Sequence, residues 1–171
     1  MAAIYMRQAT LSDLPTIMAI INEAKELLKK DGSPQWQDGR PNEEILTNDI
    51  NHKHCFVLIY DHSIASTVSL TGADPHYAEI DGQWHNNTDP YYTIHRIAIS
   101  SQFRGKHLTN YLFSNIITYT LLQGIKNIRI DTHKINKRMQ GLSLKFGFEY
   151  RGIVRVAEGD TGLRYAYELN L

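Results

Sequence analysis

The apolar positions of this chain change their period from segment to segment. "AAIYMRQAT" has the short, apolar-rich pattern of a first strand. Leu14, Ile17, Ile20/Ile21, Ala24 and Leu28 then recur at helical spacing and predict an amphipathic helix. Ser12 is placed to cap it, Pro15 falls in its first turn, and Asp31-Gly32 stops it. "SPQWQDGRPNEE" reads as a loop carrying an exposed Trp36, and Ile45, Leu46 and Ile50 mark a second helix over about residues 42–51. "CFVLIYDHSIASTVSLTG" predicts two strands joined by a tight turn at Asp61-His62-Ser63.

Residues 73–90 are rich in Asp, Gly, Asn and Pro, hold Trp84, and read as one long loop of the kind that often carries function. "YYTIHRIAIS" follows as a strand. Leu108, Tyr111/Leu112, Ile116 and Tyr119 form one face of a helix that Gly124 ends. "KNIRIDTH" is the next strand, and "NKRMQGLSLKFG" a short helix with Asn136 as its cap and Gly147 at its close. "FEYRGIVRVA" and "LRYAYELNL" give two last strands around the turn at residues 158–162. The strand–helix–strand–helix order of the second half implies at least one parallel βαβ unit. The expected class is therefore α/β (α+β), with a mixed central sheet of about six or seven strands and about four helices. No repeat or internal boundary interrupts the 171 residues, so residues 1–171 read as a single domain.

Charge alters this picture locally. Lys+Arg and Asp+Glu both number 18, so no overall basic balance points to nucleic acid. Residues 96–151, however, hold ten Lys/Arg against two acids, and residues 74–93 hold four acids and no Lys/Arg. A basic half beside an acidic loop suits an anionic and a cationic ligand together; scattered solvated charge is the plainer alternative. The single cysteine, Cys55, forms no intrachain disulfide, and it begins a strand where burial is expected. The start of the chain has no basic-then-apolar signal pattern, and no run nears the ~20 apolar residues of a membrane span. A cytoplasmic setting without membrane contact is the expectation.

"SSQFRGKHLTNYLF" joins a strand to a helix through a basic, glycine-containing turn. A helix start offers unpaired N–H groups and a positive dipole end, which suits a phosphate. Gly105 allows close backbone approach, and Arg104 and Lys106 add charge. One glycine alone is an ordinary turn. No Gly-x-x-x-x-Gly-Lys-Ser/Thr or Gly-x-Gly-x-x-Gly run supports a nucleotide-binding alternative.

The run Gln102-x-x-Gly105-x-His107 closely resembles the Gln/Arg-x-x-Gly-x-Gly/Ala motif of the GNAT N-acetyltransferase superfamily. "HRIAISSQFRGKHL" resembles that family's fourth strand and cofactor turn, and "NKRMQGLSLKFGF", from Asn136 to Gly147-Phe148, its later helix. The resemblance implies two adjacent parallel strands splayed apart, admitting the pantetheine arm of acetyl-CoA along Ile97, Ala98 and Ile99. It implies the pyrophosphate on the N–H groups of Gln102, Phe103, Arg104, Gly105, Lys106, His107 and Leu108, with Asn136 against the arm from the other side. The activity implied is direct transfer of acetyl to a primary amine, with no metal, and a homodimer is the assembly such folds lead one to expect. His107 departs from the motif. Its ring either turns away or donates to phosphate itself.

Chemistry on a thioester needs a neutral amine, a donor for the carbonyl oxygen and help for the leaving thiolate. His95 is a candidate base on its strand, with Arg96 expected on the opposite face. Glu79, Asp81 and His85 are alternatives acting through water, and a hydrogen-bonded core histidine is the structural alternative for His95 and His133. A backbone N–H near Ile97 or Ile99 is the candidate oxyanion donor. Many members of the superfamily carry a Tyr seven residues after the Asn as acid, where this chain has Ser143, a shorter and poorer acid. Trp36, Glu79, Trp84 and Tyr92 are candidate walls of a pocket for a cationic amine. The alternative at this point is a non-catalytic acyl-CoA-binding or regulatory module on the same fold.

Overall fold

The computed structural model describes residues 2–171. Strand β1 (Ile4–Gln8) leads into helix α1 (Leu14–Lys30) and helix α2 (Glu43–Asn51). Then come β2 (Cys55–Tyr60), β3 (Ser63–Thr71), β4 (Ile80–Gly82) and β5 (Tyr91–Ile99). Helix α3 (Leu108–Leu122), β6 (Asn127–Thr132), α4 (Lys137–Lys145), β7 (Glu149–Arg155) and β8 (Leu163–Asn170) complete the chain. The eight strands form one sheet in the order β1-β2-β3-β5-β6-β8-β7-β4, with β5–β6 its parallel pair.

The continuous apolar run of β2 follows from burial on both faces. Val57 and Ile59 pack under α1 and α2 with Ile17, Ile20, Ile21, Leu46 and Ile50. Phe56 and Leu58 pack on the other face with Leu108, Leu112, Phe113 and Ile116 of α3. Full burial of one such side chain is worth roughly 1.5–3 kcal/mol. Within α3, Phe113 points inward and Tyr111 stays exposed, so the buried face is rotated from the expected one. At the start of α1 the expected Ser12 cap is replaced. The Thr10 N–H donates to Asp13 (2.7 Å), whose carboxylate also takes the Arg7 fork at 2.8 and 3.0 Å. That fork holds Asp13 down at about 2.

Residues 73–90 are not one open loop. They contain β4, which pairs with β7 through Gly82 opposite Gly152. A Cβ on Gly82 would lie 2.1 Å from the Arg151 carbonyl oxygen, so the two strands meet only through glycine. This strand is the eighth, beyond the six or seven expected. Tyr77 and Trp84 of the same segment are buried against Val154 and Ala166. Trp84 is therefore a core residue. Its ring covers Arg129, whose Cζ sits 4.1 Å from the Trp84 centroid and 3.8 Å from that of Tyr91.

Beyond Ile94 and Ile130 the parallel register of β5 and β6 ends. β5 continues to Ile99 on β3 alone, pairing Thr67 with Ala98 and Ser66 with Ile99. Between Ser69–His95 and Thr67–Ala98 it carries one more residue than β3, a bulge at which Arg96 takes φ +53°. The bulge bends β5 away from β6 and opens the sheet between them.

Candidate active site

The opening is a cavity of about 1050 Å³. Ile97, Ala98, Ile99 and Arg104 line it from the β5 side, Asn136 from the start of α4, and Trp36 and His95 also stand in its wall. Of the turn after β5, Gln102, Phe103, Gly105, Lys106, His107 and Leu108 lie outside the cavity wall. Phe103 packs on Tyr60, Lys106 lies 5.4 Å over the same Tyr60 ring, and Leu108 is buried in the core. The turn's backbone still faces outward. Gly105 has φ +79° with no atom within 4 Å of the place a Cβ would take. The N–H groups of Gly105, His107, Leu108 and Thr109 have no hydrogen-bond partner among the described residues.

His107 caps α3 in the left-handed region, φ +52°. The residue type the motif prefers there, glycine, is thus a backbone requirement as well as a matter of room. Histidine is among the residues that tolerate this region, and its ring is exposed. His107→Gly is expected to raise stability by about 1 kcal/mol through relief of that conformation. Urea denaturation measures it, and a loss of stability would mean the ring makes a contact stronger than the strain.

Asn136 caps α4, its Oδ1 accepting the Met139 N–H at 3.2 Å. Its amide donates to Gln35 Oε1 (3.4 Å), which also takes Thr132 Oγ1 (3.4 Å) and the His133 N–H (3.3 Å). Gln35 thereby ties the α1–α2 loop across the end of β6. Burial lowers the His133 pKa, and its Nδ1 accepts the Ile135 N–H at 3.3 Å, a structural role. Ser143 is buried, and its hydroxyl donates to the Met139 carbonyl at 2.9 Å. It is absent from the cavity wall, so it is not placed to serve a leaving thiolate.

His95 reaches the cavity with Nε2 3.1 Å from Asp74 Oδ2. The other Asp74 oxygen takes the His76 N–H and stands 2.8 Å from His76 Nδ1. Burial alone would push Asp74 up; the bonds from His95 and His76 outweigh it and leave the carboxyl well below its ordinary range. Asp131, on the opposite strand, moves the other way. Its burial outweighs the hydrogen bond from the Tyr77 hydroxyl (2.7 Å) and raises its pKa. Arg96, expected to face away from His95, lines the same cavity because the bulge breaks strand alternation. Its guanidinium donates to Asp49 at 2.9 Å, and Ser69 donates to the same oxygen at 2.6 Å.

The remaining pocket candidates do not gather here. Glu79 is exposed on the far loop, Trp84 is in the core, and Tyr92 stacks on Tyr119, so none of them lines the cavity. Asp81 and His85 are exposed and outside it too, the His85 N–H donating to Glu168 at 2.8 Å. Sequence reading missed Asp74, His76 and Gln35. An Asp-Pro pair that starts a short turn was the one signal for Asp74, whose Oδ1 caps the 3-10 turn of residues 75–77. Cys55 is buried as expected, its thiol pushed up to about 11 by burial, and takes no part in the site.

The chain matches the profile of the Acetyltransferase (GNAT) family over residues 21–148, three quarters of its length and the whole of the splayed region. The chain belongs to the GNAT acetyltransferase family. A GNAT-family acetyltransferase structure from Streptococcus agalactiae is 34% identical and superposes with a TM-score of 0.89, covering 98% of this chain and 95% of that one. A second GNAT structure, from Listeria monocytogenes, has the same fold at 19% identity, with a TM-score of 0.74 over 98% and 95% of the two chains. A comparison with curated protein sequences gives no match. As a GNAT acetyltransferase the chain is an enzyme, and the cavity between β5 and β6 is its candidate active site.

Proposed function

We propose that this enzyme transfers the acetyl group of acetyl-CoA directly to a primary amine. The observation that carries the reading is the splay beyond Ile94 and Ile130, whose cavity reaches Arg104 and Thr109 of the same turn that carries the unpartnered N–H groups of Gly105, His107, Leu108 and Thr109. The free edge of Ile97, Ala98 and Ile99 would pair with the amide-bearing arm, and the turn would take the pyrophosphate. Arg104, exposed and in the cavity wall, adds positive charge that suits an anionic ligand. Acetyl-CoA supplies an activated acyl carbon and a thiolate leaving group.

His95 is assigned as the base that takes a proton from the incoming ammonium, so that a neutral nitrogen attacks. The backbone N–H of Ile97 is assigned to the developing oxyanion. No side chain is assigned as acid. A thiol with a pKa of about 8.5 leaves as a tolerable anion without one. The carboxylates at the His95 end are already engaged, Asp49 by the Arg96 guanidinium and Asp74 by contacts with His95 and His76. That argues against a polycation and for an acceptor with a single amine at the His95 end.

Calorimetry with acetyl-CoA, CoA and ATP tests the ligand, and preference for ATP would overturn the reading. Thiol release across a panel of small amines, amino acids and peptides tests the reaction. No release above background with any of them would favour a non-catalytic acyl-CoA-binding module. His95→Ala is expected to lower kcat by about 100-fold or more with CoA affinity unchanged, and normal turnover would remove it as base.

A further inference from the structure

The geometry points to Asp74 as the positioning residue for His95, its carboxylate beside Nε2 favouring the proton there by charge so that Nδ1 presents the lone pair to the amine, with His76 tuning that grip from solvent. This rests on the assignment of His95 as base. The placement is specific. Asp74 Oδ2 lies 3.1 Å from His95 Nε2, and the carboxylate's side chain is only 11% exposed, against 24% for His95 and 51% for His76. Both Asp74 oxygens are used, one for each histidine.

The loop that presents Asp74 is itself held. The Asp74 N–H donates to the Tyr91 hydroxyl at 3.1 Å, Thr93 Oγ1 donates to the Gly72 carbonyl at 2.9 Å, and Pro75 follows at the first position of the turn. The carboxylate therefore arrives from a different segment than His95 yet in fixed register with it. The other charged and titratable groups around His95 are Asp131 from β6 and Tyr77, which donates to Asp131. Arg164 of β8 stands 3.8 Å from Asp131, and Arg96, next in β5, is paired with Asp49 of α2.

In the step, the ammonium N–H bond breaks and an Nδ1–H bond forms, giving an imidazolium. Its Nε2 stays beside Asp74, whose charge stabilises the imidazolium without the carboxylate itself taking the proton. His76 draws on the same carboxylate through its second oxygen. Each hydrogen bond from His76 reduces the negative charge left to stabilise the imidazolium, and a protonated His76 opposes it further.

Two variants have opposite expected signatures. Asp74→Asn removes the anion. The kcat is expected to fall about 10- to 100-fold and the acid limb of the pH–rate profile to move to lower pH, with acetyl-CoA affinity unchanged. His76→Gln releases the carboxylate to His95, so the acid limb is expected to move to higher pH, the opposite direction from Asp74→Asn. A purely structural Asp74 would lower kcat and CoA affinity together and leave the limb where it was. Parent-like kcat and pH profile in Asp74→Asn would overturn the inference while leaving His95 itself to stand or fall on His95→Ala. If Asp74→Asn fails to fold, an unmoved acid limb in His76→Gln overturns it.

Discussion

Gly105→Asp is expected to abolish measurable acetyl-CoA binding. Two effects add. Gly105 adopts φ +79°, where any Cβ costs about 1–2 kcal/mol. The new carboxylate would then sit beside the unpartnered N–H groups of Gly105, His107, Leu108 and Thr109, where the ligand's phosphates are proposed to lie. A like-charge pair about 4 Å apart costs between ~1 kcal/mol in water and ~4 kcal/mol near a protein surface. Together with competition for the N–H groups, affinity is expected to fall by roughly 100-fold or more. Steric block by protein atoms plays no part, because the space around Gly105 is open. Gly105→Ala separates the effects, since it carries the strain without the charge and should cost roughly tenfold or less. Calorimetry of both variants decides. Equal and small losses would mean that the phosphates bind elsewhere.

Much of the frame behind this prediction was legible in the order of elements. The switch of apolar period across Ile99 to Leu108 marked strand, turn and helix, and Asn136 and Gly147 bracketed α4, because caps and left-handed closures are local chemistry. What failed to show depended on contacts distant in sequence. β4 is three residues long and meets β7 through glycines, so it has no alternation to read. Trp84 was read as a pocket wall because it sits in a polar segment, while Arg129, the cation it covers, lies on β6. Arg96 was expected opposite His95 by simple alternation, and a bulge that no residue type announces put both into the cavity. Ser143 was read from the resemblance, as the residue standing where many superfamily members carry a Tyr, and that could not reveal that its hydroxyl is spent on the preceding helical turn. Asp74 meets His95 only because the intervening segment folds back on β5.

That folded segment depends on one buried carboxylate, and Glu168→Gln is expected to destabilise the protein by about 3–5 kcal/mol. Glu168 is 1% exposed and accepts from Arg129 Nε at 2.9 Å, Arg151 Nε at 3.2 Å and the His85 N–H at 2.8 Å. Glutamine keeps the volume and removes the charge, leaving Arg129, 4% exposed between Trp84 and Tyr91, without its counter-ion. An ordinary Tm shift of ~2–4 °C per kcal/mol for a chain of this size puts the loss near 10 °C. The damage should also reach the site. Arg129 donates to the Asn86 carbonyl at 2.8 Å and stacks on Tyr91, whose hydroxyl takes the Asp74 N–H. Loosening Arg129 frees the segment that carries Asp74, so kcat should fall well below the melting transition while acetyl-CoA affinity, set on the other side of the splay, is kept. Replacing Arg129 and Glu168 together by methionine should recover part of the stability, because the penalty lies in the orphaned guanidinium more than in the lost pair. It should not recover kcat, because the bond to Asn86 and the stack on Tyr91 go with the arginine. A double variant less stable than Glu168→Gln would show instead that the ion pair itself holds β8 to the segment.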